Sequence, residues 1–245
     1  MKLDKNLIFL KQAANEELLV LCDIVTKEKD GTFRTTETLT ETQSYRRCYP
    51  NNIKGMLPEL IHEFRLFGGN SILNFFRGEG PDYPEILRDV AYRCNVSFNN
   101  ATAQDEYIEI LLLSKFINIA LDAASNDELR QMMYEMKVQA SRFNRQNTIL
   151  ELQKLWTSGS VAGFKLMSTV TSSVLTQLTG LAIGAVAGAT LSRLSTIMLG
   201  PIGFILSSIY CAMDIAGPAY RVTIPAVIQI AYLRQRIKFS SKKGK

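Results

Sequence analysis

The sequence predicts an all-α protein: a multi-helix globular body with an apolar, glycine-rich helical hairpin toward its C-terminus. Three observations lead there. Apolar residues recur at three- and four-residue intervals through most of the first 157 positions. The gaps between these runs carry residues that stop and start helices. No alternating β-branched run is long enough for a strand before VTIPAVIQI at 222–230, where Pro225 argues against a central strand.

Taken in order, Leu7, Ile8 and Leu10 make a first short helix. Asn15 is placed to cap the next, with Glu16 and Glu17 in the turn where the helix dipole favours acids. Its apolar face runs through Leu18, Leu21, Cys22 and Val25 to a turn at Lys29-Asp30-Gly31. TTETLTETQSYRRC is polar and weakly periodic. Pro50-Asn51-Asn52 breaks the chain, and Met56, Leu60, Ile61 and Phe64 return to helical spacing. Gly68-Gly69 stops that helix. Asn70 or Ser71 starts another, with Ile72, Leu73, Phe75 and Phe76 apolar. RGEGPDYP reads as a loop whose prolines suit a turn and a first helical turn. Ile86, Leu87, Val90 and Ala91 continue helically, and Asn95–Gln104 is a second loop. Ile108–Ala124 is strongly apolar. Ser125 caps a helix through Leu129, Met132, Met133 and Met136, and Ile149–Trp156 closes this half. The expected organisation is a small N-terminal module over 1–45, a central helical region over 46–157, an apolar region over 158–236 packed on it, and a basic tail over 237–245.

After Trp156 the composition turns to Ser, Gly, Thr, Ala and Leu. Twenty-seven uncharged residues separate Lys165 from Arg193, and twenty more separate Arg193 from Asp214. Within GLAIGAVAG, Gly180, Gly184 and Gly188 fall on one stripe if the segment is helical, a pattern of close helix packing. Two readings stand open: a hairpin in a protein core, or membrane contact through 166–213. Ser168, Thr169, Thr171, Ser172, Ser173, Thr176, Gln177 and Thr179 dilute the first span, and Arg193 is costly at a bilayer centre, which favours the core.

The net charge of +5 is uneven. From Ser158 onward nine bases face one acid, Asp214, so the basic character sits beside the apolar sequence. Bases flanking apolar segments fit a membrane surface or an acidic partner. No nucleic-acid recognition motif accompanies them, so the expectation is no nucleic acid; the cluster from Arg234 to Lys245 reads as a solvated tail. Cys22, Cys48, Cys94 and Cys211 lie far apart without metal-ligand spacing. With a polar, quickly acidic N-terminus, they point to a cytoplasmic protein.

Little in the chain points to catalysis. Gly68, Gly69, Gly78 and Gly80 resemble a phosphate loop only superficially, since no Gly-Lys-Ser/Thr follows a strand. The one histidine, His62, has no nucleophile in a recognised motif beside it. Glu106 and Glu109, like Asp127 and Glu128, read as solvated faces or helix starts. Met132, Met133 and Met136 read as core with an adaptable binding face as the alternative. Tyr220 and Arg221 stand between a Gly-Pro turn and an apolar run, so Arg221 is expected to pair with an acid or cap carbonyls inside the domain. The chain is expected to be no enzyme, with no cofactor and no metal.

Three stretches carry a resemblance: LDKNLIFLKQAANEELLVLCDIVTKEKDGTFRTTETL at 3–39, FGGNSILNFFRGEGPDYPEILRDV at 67–90, and GPAYRVTIPAVIQIAYLRQR at 217–236. On them the chain resembles the YaaW-like family of bacterial proteins, and also ubiquinol-cytochrome c chaperone-type domains. Some YaaW-like members, the JukA type, are sensors of a two-component immune system against nucleus-forming jumbo phages. The resemblance then implies a non-enzymatic sensor that binds an early phage protein and recruits a pore-forming-like effector encoded by a neighbouring gene. Recruitment to a phage-derived or cell membrane would follow. The other branch implies an assembly chaperone for a membrane respiratory complex; the apolar hairpin by itself would suit a membrane-active effector. Phe67, Gly68, Gly69, Asn70, Arg77, Tyr220 and Arg221 match the family's motifs and are the candidate partner-binding residues. Gly180, Gly184 and Gly188 are the candidate helix-packing or membrane residues.

Overall fold

A computed structural model describes residues 3–68, 80–138, 143–181 and 219–243. The expected helix after Gly69 lies outside them. The fold is all-α; among the described residues the only extended pairing is one antiparallel bridge, Lys27 with Phe33.

A 3-10 segment, Lys5–Gln12, opens the chain, and Asp4 caps it by accepting from the Asn6 N–H at 2.9 Å. Helix α1 follows over Asn15–Thr26. One donor at its N-terminus is met by Glu17, whose Oε2 accepts from the Ala14 N–H at 2.8 Å. Asn15 is therefore not the cap. Its side chain instead donates to the Pro50 carbonyl at 2.9 Å and accepts from the Ile53 N–H at 2.8 Å, fastening the Pro50 turn to α1. The weakly periodic polar stretch folds as a 3-10 turn, Leu39–Glu41, and α2, Gln43–Cys48, with Thr42 as N-cap.

Helix α3, Leu57–Phe67, ends at Gly68, and α4 runs over Tyr83–Arg93. Arg65 draws the two ends together: its guanidinium donates to the carbonyls of Pro81 (2.8 Å) and Gly80 (2.7 Å) and pairs with Asp82 (2.8 Å). Helix α5, Asp105–Ala123, is long and apolar, and α6, Asn126–Glu135, has the expected Ser125–Glu128 capping box. Then come α7, Arg145–Thr157, and α8, Val161–Thr179, capped by Ser160 Oγ on the Gly163 N–H at 3.1 Å. The last helix, α9, spans Tyr220–Lys243.

Helix α9 is the axle of the molecule. From Val222 to Leu233 every residue is buried, as expected of a helix apolar on all faces. It packs against α1, α3, α4, α5, α8 and the N-terminal 3-10 segment. Pro225 sits inside it, in the second turn, where the missing N–H removes the bond it would make to the Arg221 carbonyl. The expected basic tail is helix as far as Lys243.

Helices α8 and α9 lie antiparallel: Ser168 Oγ meets the Tyr232 hydroxyl at 3.2 Å, and the Phe164 and Phe239 rings stack at 4.6 Å. The chain thus leaves α8 and returns to α9 at one end of the pair. The Ser/Thr-rich face of α8 is buried, with Ser168, Thr169, Thr171, Ser173 and Thr179 inside. Thr179 Oγ1 donates to the Leu175 carbonyl at 2.7 Å, while Ser173 Oγ is buried and meets no partner among the described residues. Residues 166–179 are therefore core, and within the described residues no helix is long and apolar enough to cross a membrane.

One hydrophobic core runs from Leu7 through Leu121 and Leu178 to Leu233, so the described parts of the three expected regions share a single interior.

Candidate functional site

The last three turns of α9 concentrate the polar chemistry of the body. Glu109, on α5, has no exposed surface. It accepts from the Tyr83 hydroxyl at 2.6 Å and from Arg234 Nε at 2.7 Å. Arg234 also donates to the Asn6 carbonyl at 3.1 Å and lies 3.9 Å over the Phe9 ring. Two positions on, Arg236 Nε lies 2.6 Å from Glu17 Oε1, again a fully buried carboxylate. Lys238 then pairs with Glu106 at the surface. Gln229 donates to the Glu17 carbonyl at 3.0 Å. Helix α9 so joins the N-terminal segment, α1, α4 and α5 through charge as well as packing. Burial pushes the Glu109 and Glu17 carboxyls up in pKa, with the arginines opposing it. The same burial and the Glu109 charge hold the Tyr83 hydroxyl far above its ordinary range. Glu109 is thus not on a solvated face, and Arg234, Arg236 and Lys238 are not a loose tail.

Beside these pairs lies an open groove of about 600 Å³ between α5, the α7–α8 junction and the end of α9. Ile110, Trp156, Phe164, Met167 and Phe239 give it an apolar lining; Glu106, Gln235 and Lys238 stand on its polar side. The indole N–H of Trp156 is spent on Ser114 Oγ at 2.7 Å, which leaves the ring to packing. A sharp corner makes the junction possible. Gly159 adopts φ +64°, and a Cβ on Gly163 would stand 2.0 Å from the Leu155 carbonyl oxygen. Gln235 Nε2 is buried and meets no acceptor among the described residues.

The residues singled out from sequence fall elsewhere. Phe67 packs half-buried against the core, and a Cβ on Gly68 would meet Ile86 side-chain carbons at 2.4 Å. Gly68 thus lies against α4, where a side chain would not fit. Gly69, Asn70 and Arg77 lie outside the described residues. Tyr220 receives Arg93 Nε at 3.1 Å, with the guanidinium 4.9 Å over its ring. Arg221 is exposed rather than interior, because it precedes the buried face of α9 by one residue. Gly180 ends α8 in the left-handed conformation, φ +70°, so the helix does not run through it. A Cβ there would stand 2.4 Å from the Lys29 carbonyl oxygen: a close approach to a loop instead of to a helix. Gly184 and Gly188 lie outside the described residues.

Among the described residues no group of His, Cys, Asp and Glu has metal-binding proximity. Cys22, Cys48 and Cys94 are buried free thiols; burial raises all it perturbs, Cys94 to about 12 and Cys22 beyond, so neither is a ready thiolate. Sequence reading missed the groove and the buried ion pairs. Their only sequence signal was the run Arg234, Arg236 and Lys238, which on a helix sets Arg234 and Lys238 on one face and Arg236 on the other.

An all-α body closed by its own C-terminal helix is the class defined here. Within it, the chain belongs to the UPF0174 family. It is 32% identical to a UPF0174 protein of Helicobacter pylori strain J99 over 245 residues, all of this chain and 96% of that one. A second such protein of that strain is 30% identical over 207 residues, 82% of this chain and 98% of its own. UPF0174 protein YaaW of Escherichia coli K12 is 27% identical over 96% of this chain and 95% of its own. Residues 1–35 match a family described as a domain of unknown function, DUF3944. No solved structure matches.

Proposed function

We propose that this protein is a non-enzymatic sensor or adaptor of a two-component bacterial defence against jumbo phages. In this reading it is cytoplasmic, binds an early phage protein and recruits a separate pore-forming-like effector. The resemblance to JukA-type members of the YaaW-like family supplies the partners. The observation that carries the reading on the molecule is the groove: a concave apolar surface beside a basic helix end, built for holding a partner.

The test is a phage challenge of cells carrying this gene, its neighbour, or both. Protection only with both is the expected result, together with co-purification of an early phage protein from infected cells. Protection by this gene alone would overturn the two-component reading. A second reading, a membrane-active effector, draws on the apolar sequence between 181 and 219, whose flanks leave and re-enter the body at one end. It predicts dye leakage on expression of this chain alone. Respiratory-complex subunits in the pull-down, with no phage protein, would instead favour an assembly chaperone.

A further inference from the structure

We infer that the groove between α5, the α7–α8 junction and α9 binds an uncharged aromatic small molecule. The inference goes beyond the defence reading: such a ligand would compete with a protein partner for the same lining.

What the groove has to offer selects the ligand. Its side-chain donors are turned to the protein itself. Trp156 Nε1 donates to Ser114 Oγ at 2.7 Å, Thr157 Oγ1 to the Lys154 carbonyl at 3.0 Å and Ser241 Oγ to the Ile237 carbonyl at 2.9 Å. Ser160 Oγ is engaged as the cap of α8, accepting from the Gly163 N–H at 3.1 Å. Gln235 Nε2 has no exposed surface. The charged residues of the lining, Glu106 and Lys238, pair with each other and cancel. A charged or strongly polar ligand would lose water here and find no partner in return. An extended peptide would leave its backbone groups unmet in the same way. An uncharged apolar molecule has no such cost, and leaving water favours it.

The apolar lining narrows the class further. Trp156, Phe164 and Phe239 are each half-buried, and the two phenyl rings stack at 4.6 Å with planes 3° apart. Another ring can add offset or edge-to-face contacts to these, beyond the area it buries. Met167 brings a thioether to the same lining, and sulfur favours ring edges. A saturated body of equal size gains the area alone. The volume of about 600 Å³ lies in the range of small-molecule sites.

Trp156 is the only tryptophan of the chain, so energy transfer from it reports a ligand without a label on the protein. The purified full-length protein would be titrated with N-phenyl-1-naphthylamine, which is aromatic and uncharged. The bound probe would then be displaced by diphenylmethanol, by its saturated analogue dicyclohexylmethanol, or by the anion diphenylacetate. The expected result is saturable transfer with an affinity that does not change with salt. Diphenylmethanol should displace the probe about tenfold more tightly than either analogue. Phe239→Ala, which removes a ring of the stack, should weaken the probe by about tenfold, with a circular dichroism melt to show that the variant is folded. The double variant Glu106→Gln with Lys238→Gln should leave the affinity unchanged, because the cancelled pair takes no part. No saturable transfer, equal or tighter displacement by the saturated or anionic analogue, an affinity that falls with salt or in the double variant, or full affinity in folded Phe239→Ala would overturn the proposal. The readout needs neither phage nor effector, so its failure is distinct from failure of the defence assay.

Discussion

At the scale of single residues, the buried carboxylates decide most. Glu109 is fully enclosed and holds both Tyr83 and Arg234. Removing it leaves a mostly buried guanidinium without its charge partner, a loss of about 3–5 kcal/mol. Glu109→Ala should therefore lower the urea midpoint strongly. Glu109→Ala with Arg234→Met should recover much of that loss, because the pair is then replaced by apolar contact. Failure of the double variant to recover would show that Tyr83 or Asn6, not Arg234, is the costly orphan. The pH dependence has a definite sign. Burial raises the folded pKa of Glu109, Glu17 and Glu63 above the ordinary 4.5. Above pH 4.5 the folded chain then holds more protons at these sites than the unfolded chain. Their contribution to stability is full below 4.5 and is lost as pH rises through the folded values. Thermal melts across that window should show a shallower decline in Glu109→Gln than in the parent protein.

At the scale of elements, the corner between α7 and α8 is the most constrained joint. Gly163 has normal helical geometry, but its added Cβ would collide with the backbone of Leu155 at 2.0 Å. Gly159 has open space and a left-handed backbone. The two glycines fail in different ways. Gly163→Ala should cost about 1–3 kcal/mol through overpacking and should also disturb Trp156 emission, because the groove wall shifts. Gly159→Ala should cost about 1 kcal/mol through backbone strain and leave the emission alone. Equal emission changes in both would show that the groove does not depend on this packing. Helix α9 teaches the opposite lesson. Its apolar run was visible in VTIPAVIQI, and Pro225 excluded a central strand, yet periodicity gave no exposed face because residues 222–233 have none.

At the scale of the whole molecule, sequence-distant parts meet on α9. Leu7 and Leu10 from the N-terminal segment share its core, and Arg234 with Asn6 and Gln229 with Glu17 bond across more than two hundred positions. The body should unfold in one cooperative calorimetric transition. Deleting residues 1–14 strips two fully buried leucines from α9 and should broaden or abolish that transition. Two separate transitions in the full chain would mean that the N-terminal module folds on its own.

The sequence by itself determined the class and the elements. Helical periodicity, the Ser125–Glu128 box, the stops at Gly68 and Asn95, and the apolar run over 222–233 depend on neighbours a few residues away, and such local signals survive in one dimension. The site did not survive in that form. Whether Arg234 is a tail charge or a buried partner of Glu109 depends on a residue 125 positions earlier. Whether Gly180 continues a helix or ends one depends on the Lys29 carbonyl beside it. Trp156, Phe164 and Phe239 line one groove only because α8 and α9 run antiparallel. Burial and proximity are properties of the packed chain, and they set charge pairing, cavity shape and solvent access; tertiary structure alone decided those.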